Sequence, residues 1–97
     1  MNLPETQPTL QSVLTPSDAV MFQRVGDEGV LLDLASEQYF GLNPVGVRVW
    51  ELLDGQTALL RVQEILCSEY DGASARIGED LLALARSLLE AGLALER

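Results

Sequence analysis

Val30-Leu31-Leu32-Asp33-Leu34-Ala35-Ser36-Glu37-Gln38-Tyr39-Phe40-Gly41-Leu42, followed without a linker by Asn43-Pro44-Val45-Gly46-Val47-Arg48-Val49-Trp50-Glu51-Leu52-Leu53-Asp54-Gly55, is the stretch that decides the fold. Val30, Leu31, Leu32 and Leu34 are apolar and mostly branched, Ala35-Ser36-Glu37-Gln38 interrupts the run, and Tyr39-Phe40-Gly41-Leu42 resumes it, which is the pattern of a β-hairpin. The period then becomes helical. Asn43 offers a side-chain oxygen to unpaired amide N–H groups, and Pro44 pre-sets the first helical φ where no donor is needed. Val45, Val49, Trp50 and Leu53 fall on one face, and Gly55 is a stop signal.

Working outward toward the N-terminus, Ala19 to Val25 alternates in character and reads as a strand, and Gly26-Asp27-Glu28-Gly29 as a turn into the Val30 strand. Together these make a three-stranded antiparallel meander. Met1 to Pro16 holds three of the four prolines and shows neither period, so residues 1–17 are expected to be a flexible arm and residues 18–97 the domain. Toward the C-terminus, a first helix covers about Pro44 to Asp54 and a second about Ala58 to Tyr70, with Leu59, Val62, Leu66 and Tyr70 as its stripe. Ser74 is the expected N-cap of a third helix over about Ala75 to Ala91, closed by Gly92. Leu93-Ala94-Leu95 is expected to pack back on the core.

The third helix is apolar over about half its circumference. Ile77, Leu81, Leu84, Ala85 and Leu88 form one stripe, with Leu82 and Leu89 about 100° further round. Two surfaces are therefore contacted: either both belong to the core, or one is an open groove.

Composition sets the boundaries on function. The 97-residue chain makes one small domain, 47% hydrophobic, with five aromatic residues. Fifteen acids oppose six arginines and no lysine, a net charge of −9 that repels phosphate backbones and anionic membranes, so neither nucleic acid nor membrane is an expected partner. A neutral or basic peptide suits it better. The absence of histidine argues against zinc, and the single cysteine, Cys67, excludes an internal disulfide. No secretory signal is visible at Met1-Asn2-Leu3-Pro4-Glu5 and no apolar run could span a bilayer, so the expected location is cytoplasmic. Cys67 beside Leu66 reads as an inert half-buried thiol. Asp27-Glu28 and Glu79-Asp80 read as a solvated turn and a helix N-terminal charge. No catalytic residue and no cofactor are expected.

The residues Asp33-Leu34, Tyr39-Phe40-Gly41-Leu42-Asn43-Pro44, Gly46, Trp50-Glu51-Leu52-Leu53 and Asp54-Gly55, then Asp80-Leu81, Leu84, Leu88 and Gly92-Leu93, resemble the PqqD-like family, the RiPP recognition elements. The resemblance covers about Ala19 to Glu96. A short chain of this kind looks most like the stand-alone recognition proteins of lasso-peptide and similar pathways. One departure is Glu37, where the family commonly has glycine, so the hairpin tip is expected to differ in detail and not to use a left-handed residue.

The resemblance implies an α+β fold of the winged helix-turn-helix type, a three-stranded antiparallel sheet followed by three helices. It also implies that the leader segment of a ribosomally made precursor adds as a strand beside the third strand, flanked by the third helix. The implied peptide-binding residues are Gln38, Tyr39, Phe40, Gly41 and Leu42 on the strand and Arg76, Ile77, Asp80, Leu81 and Leu84 on the helix. The residues are compatible with this: the last strand of a meander has unpaired N–H and C=O groups, and strand addition is a recurrent mode of peptide capture. Four or five ladder bonds at a net ~0.5–1.5 kcal/mol each do not offset association costs and leave the ~−8 kcal/mol of micromolar binding. Apolar anchors must contribute, drawn from Tyr39 or Phe40 and from Ile77 and Leu84, at ~1.5–3 kcal/mol for each one buried. Arg76 and Asp80 are candidates for reading charge, with ordinary solvation as the alternative; Trp50 belongs to the core.

Three functions compete. One is an adaptor that delivers the leader to a processing enzyme, a leader peptidase or a radical-SAM maturase. The second is a winged-helix DNA-binding regulator, opposed by the charge of the third helix. The third is a structural subunit, a homodimer formed through the free sheet edge.

Overall fold

The computed structural model describes residues 7–97. Its elements in chain order are β1 (Leu14–Pro16), β2 (Val20–Val25), β3 (Glu28–Asp33), β4 (Gln38–Leu42), α1 (Pro44–Leu52), α2 (Leu59–Glu69), α3 (Ser74–Glu90) and β5 (Ala94–Glu96). β2, β3 and β4 form an antiparallel meander in that order, with Phe22 opposite Leu31 and Leu31 opposite Phe40. The α+β, winged-helix arrangement expected from the sequence is the one observed, and its three helices follow the sheet.

Each turn has a local cause. Val25 and Glu28 pair directly, leaving a two-residue turn whose first residue, Gly26, has φ of 63°, the left-handed value that a type II′ hairpin requires there. At the other hairpin Glu37 has φ of 62°, and its N–H donates to the Asp33 carbonyl at 2.6 Å. This corrects the expectation drawn from Glu37: the tip keeps the left-handed residue, and a side chain occupies it at a steric cost. Asn43 caps α1 as its position predicts, its Oδ1 accepting from the Gly46 N–H at 2.7 Å. Ser74 is not the cap of α3 but its first residue; Ala73 holds the cap position without a side-chain bond. Gly92 ends α3 at φ of 73°.

The larger correction concerns the N-terminal segment. Residues 1–6 lie outside the described residues, but from Pro8 onward the expected flexible arm is packed structure. Leu14 is 0% exposed at the centre of the core, and β1 pairs antiparallel with β5, Leu14 opposite Glu96 and Pro16 opposite Ala94. The physical reason lies at the start of α2, which has no side-chain cap. Its first N–H groups, those of Leu59 and Leu60, donate to the carbonyls of Ser12 and Leu10 at 2.9 and 2.8 Å. The segment thus supplies acceptors that the helix terminus lacks.

One core unites both sheets and all three helices. It comprises Leu14, Leu31 and Leu42 from the strands, Val47, Val49, Leu53, Leu59, Val62 and Leu66 from α1 and α2 with their connections, and Leu81, Ala85, Leu88, Leu93 and Ala94. Trp50 is half-buried and packs against it, as do Leu82 and Leu89. The second apolar flank of α3 accordingly belongs to the core.

Candidate functional site at the free edge of β4

Among the described residues no strand pairs with the far edge of β4. Beside that edge runs a groove of about 610 Å³ whose two sides are β4 and α3. Alternation along β4 sends Phe40 and Leu42 toward the core and Tyr39 and Gly41 to the opposite face. Leu42 is buried and forms part of the floor with Leu66 and Leu81, while Phe40 is half-buried on the wall. The helix side is built from α3: Ile77 and Leu84 are half-buried and face the groove, with Arg76 and Asp80 exposed at its rim.

Eight of the ten residues singled out from the sequence therefore line one groove: Phe40, Gly41, Leu42, Arg76, Ile77, Asp80, Leu81 and Leu84. Gln38 and Tyr39 lie outside it. Tyr39 is 76% exposed on the sheet's outer face, so of the two aromatic anchors considered, Phe40 is the one in the groove. Arg76 and Asp80 lie one turn apart with 3.8 Å between their charged groups and are each about three-quarters exposed, so their mutual attraction is weak.

Sequence reasoning missed part of the lining. Tyr70, Asp71 and Gly72, read as a helix end and a break, also line the groove, with Gly72 beside Ile77, as do Asn43, Val45, Gly46 and Val49. Tyr70 on the α2 stripe was the available signal. Its position is set by the end of α2, which a two-pronged ion pair ties to α1: Arg48 Nε and Nη2 donate to Glu69 Oε1 and Oε2 at 2.9 and 2.7 Å. The hydrogen bonds from Arg48 hold the Glu69 carboxyl below its ordinary range. At the other end of α2, Asp54 accepts from the N–H groups of Gln56 and Thr57 at 2.9 and 2.8 Å, and these bonds lower its pKa likewise.

The model of the family described as Coenzyme PQQ synthesis protein D (PqqD) matches residues 28–94, from the start of β3 into β5. The chain belongs to the PqqD family. Two solved structures share the fold of this family member. One, described as TbiB1 in complex with the TbiA(beta) leader peptide, is 35% identical with a TM-score of 0.75, over 82% of this chain and 93% of that one. The other, a lasso peptide synthetase B1 complexed with the leader peptide, is 28% identical with a TM-score of 0.76, over 84% and 96%. No curated protein sequence matches the chain. No helix among the described residues is long and apolar enough to cross a membrane.

Proposed function

We propose that this PqqD-family chain is a non-catalytic adaptor that captures the leader segment of a ribosomally made precursor, lasso type favoured, as a fourth strand on β4. It then presents the attached core to a separate processing enzyme in the cytoplasm. The observation that carries this reading is the pairing of an unsatisfied strand edge with an apolar groove beside it. An edge alone would recruit any extended chain, and a groove alone would hold a side chain without fixing its register. Two similar structures were solved with leader peptides, which supports the same class of client here. Holding the leader raises the effective concentration of the core at a leader peptidase or radical-SAM maturase without chemistry in the adaptor.

α3 gives no support to reading DNA. Its arginines, Arg76 and Arg86, each lie beside an acid one turn on, Asp80 and Glu90. The competing use of the edge is pairing with a second copy of the chain. A fluorescent leader peptide from the precursor gene adjacent to this one tests the proposal by anisotropy. Binding in the micromolar range or tighter, lost when proline replaces residues of the strand-forming segment, is the expected result. Binding indifferent to proline at every position, or a dimer in sedimentation that the peptide does not dissociate, contradicts it.

A further inference from the structure

Gly41 has no reason inside this protein to be glycine. Four of the eight glycines, Gly26, Gly55, Gly72 and Gly92, adopt positive φ, and three more, Gly29, Gly46 and Gly78, have a side-chain atom within 3.2 Å of where a Cβ would sit. Gly41 is neither: its φ is not positive, and a Cβ there meets nothing within 4 Å. It stands in the middle of a strand, where a glycine forgoes side-chain packing and loses the most backbone freedom on folding. A β-branched residue would serve the isolated fold better.

The surroundings show what the gap is for. Gly41 lies directly across from the half-buried Val30 on the outer face of the sheet. It borders both the groove beside α3 and a second recess of about 300 Å³ lined by Val25, Glu28, Gly29, Val30, Leu42 and Asn43. A strand added to β4 would set one of its own side chains next to Gly41 on that outer face. With no side chain at 41, a large neighbour can fold over the glycine backbone onto Val30, the arrangement by which aromatic residues shield glycines in paired strands.

Resting on the strand-addition reading above, we propose that Gly41 is a specificity-determining residue. Its missing side chain is a receptor for one bulky apolar residue of the guest strand, which crosses it to cover Val30 and Val25. This contact lies on the face of the sheet opposite Phe40 and Leu42, so the guest is gripped on both faces of the added strand.

The experiment compares the wild-type chain with Gly41→Ala, Gly41→Val and, as a control on the outer face at the opposite edge, Met21→Val, which pairs with Leu32 and lies outside the recess, using the labelled leader peptide of the adjacent precursor gene. Native circular dichroism with an unchanged or raised Tm is expected for all three. Leader affinity falls by about tenfold or more in Gly41→Val, by less in Gly41→Ala and not at all in Met21→Val. An alanine scan of the leader then finds one bulky residue whose truncation weakens binding to wild type but costs nothing further in Gly41→Val, the coupling of a shared contact. Wild-type affinity within about twofold in Gly41→Val overturns the proposal for Gly41 while leaving strand addition standing. A wild-type chain that binds no leader overturns both.

Discussion

Two strand edges of this molecule are treated in opposite ways. At one, the chain supplies its own guest: β1 pairs with β5, residues Leu10 and Ser12 cap α2, and Leu14 is driven fully into the core. At the other, β4 has no partner among the described residues, and the space beside it is a groove with half-buried apolar walls. The closed edge shows what holds a short strand on this fold. Backbone bonds fix its register, and a fully buried apolar anchor, Leu14, adds to their hold. At the open edge Phe40, Ile77 and Leu84 line the groove, and under the strand-addition proposal they receive the anchor that the guest brings.

The contrast is broken most severely at the closed edge. Leu14→Ala should lower stability by about 2–5 kcal/mol, a large share of the roughly 5–15 kcal/mol of a small domain, and deletion of residues 1–17 should abolish cooperative urea unfolding followed by circular dichroism. A deletion that unfolds like the full chain would return the segment to the status of an arm. At the open edge the cost should fall on binding instead. Leu84→Glu should weaken leader binding by about tenfold or more, the loss of a buried leucine contact, while the circular dichroism stays native. Collapse of the fold would assign Leu84 to the core.

Much of this was legible in the sequence because local chemistry and tertiary outcome agree. Asn43-Pro44 starts α1 by satisfying and omitting donors, Gly92 stops α3, and period-two alternation gives β2 to β4 their faces. The groove was legible too, through the stripe of Ile77, Leu81 and Leu84. β1 was not. Leu14-Thr15-Pro16 is too short to show a period, and its place depends on β5, some eighty residues away, and on the uncapped start of α2, neither of which leaves a mark at residues 10–16. Glu37 misled for a related reason: a residue type disfavours a conformation by only ~1–2 kcal/mol, which the pairing of Asp33 with Gln38 outweighs.

That residue gives a sharper, smaller test. Glu37→Gly should raise stability by about 1 kcal/mol or somewhat less, the left-handed strain relieved minus the entropy glycine adds to the unfolded chain, and the expected Tm increase is a few degrees. Leader affinity should not change, because the hairpin tip is outside the groove. The smallest effect belongs to pH. The folded-state pKa values of Asp54 and Glu69 are lowered, so their stabilisation is present above the unfolded carboxylate range near ~4 and is lost as pH falls through the folded values. Asp54→Ala should therefore have a lower Tm than wild type at pH 7, and the gap should narrow as the pH drops through that range. Because the Asp54 loop is bonded to β1 through the Gly55 N–H and the Leu14 carbonyl, at 2.9 Å, the pH sensitivity should appear in stability and not in leader binding at neutral pH.

Amide hydrogen exchange across Gln38–Leu42, with and without saturating leader peptide, measures the occupancy of the open edge itself. The account predicts new protection at the β4 amides that face the groove, with β1 and β5 unchanged. A bound leader that leaves every β4 amide exchanging at its free rate would contradict it.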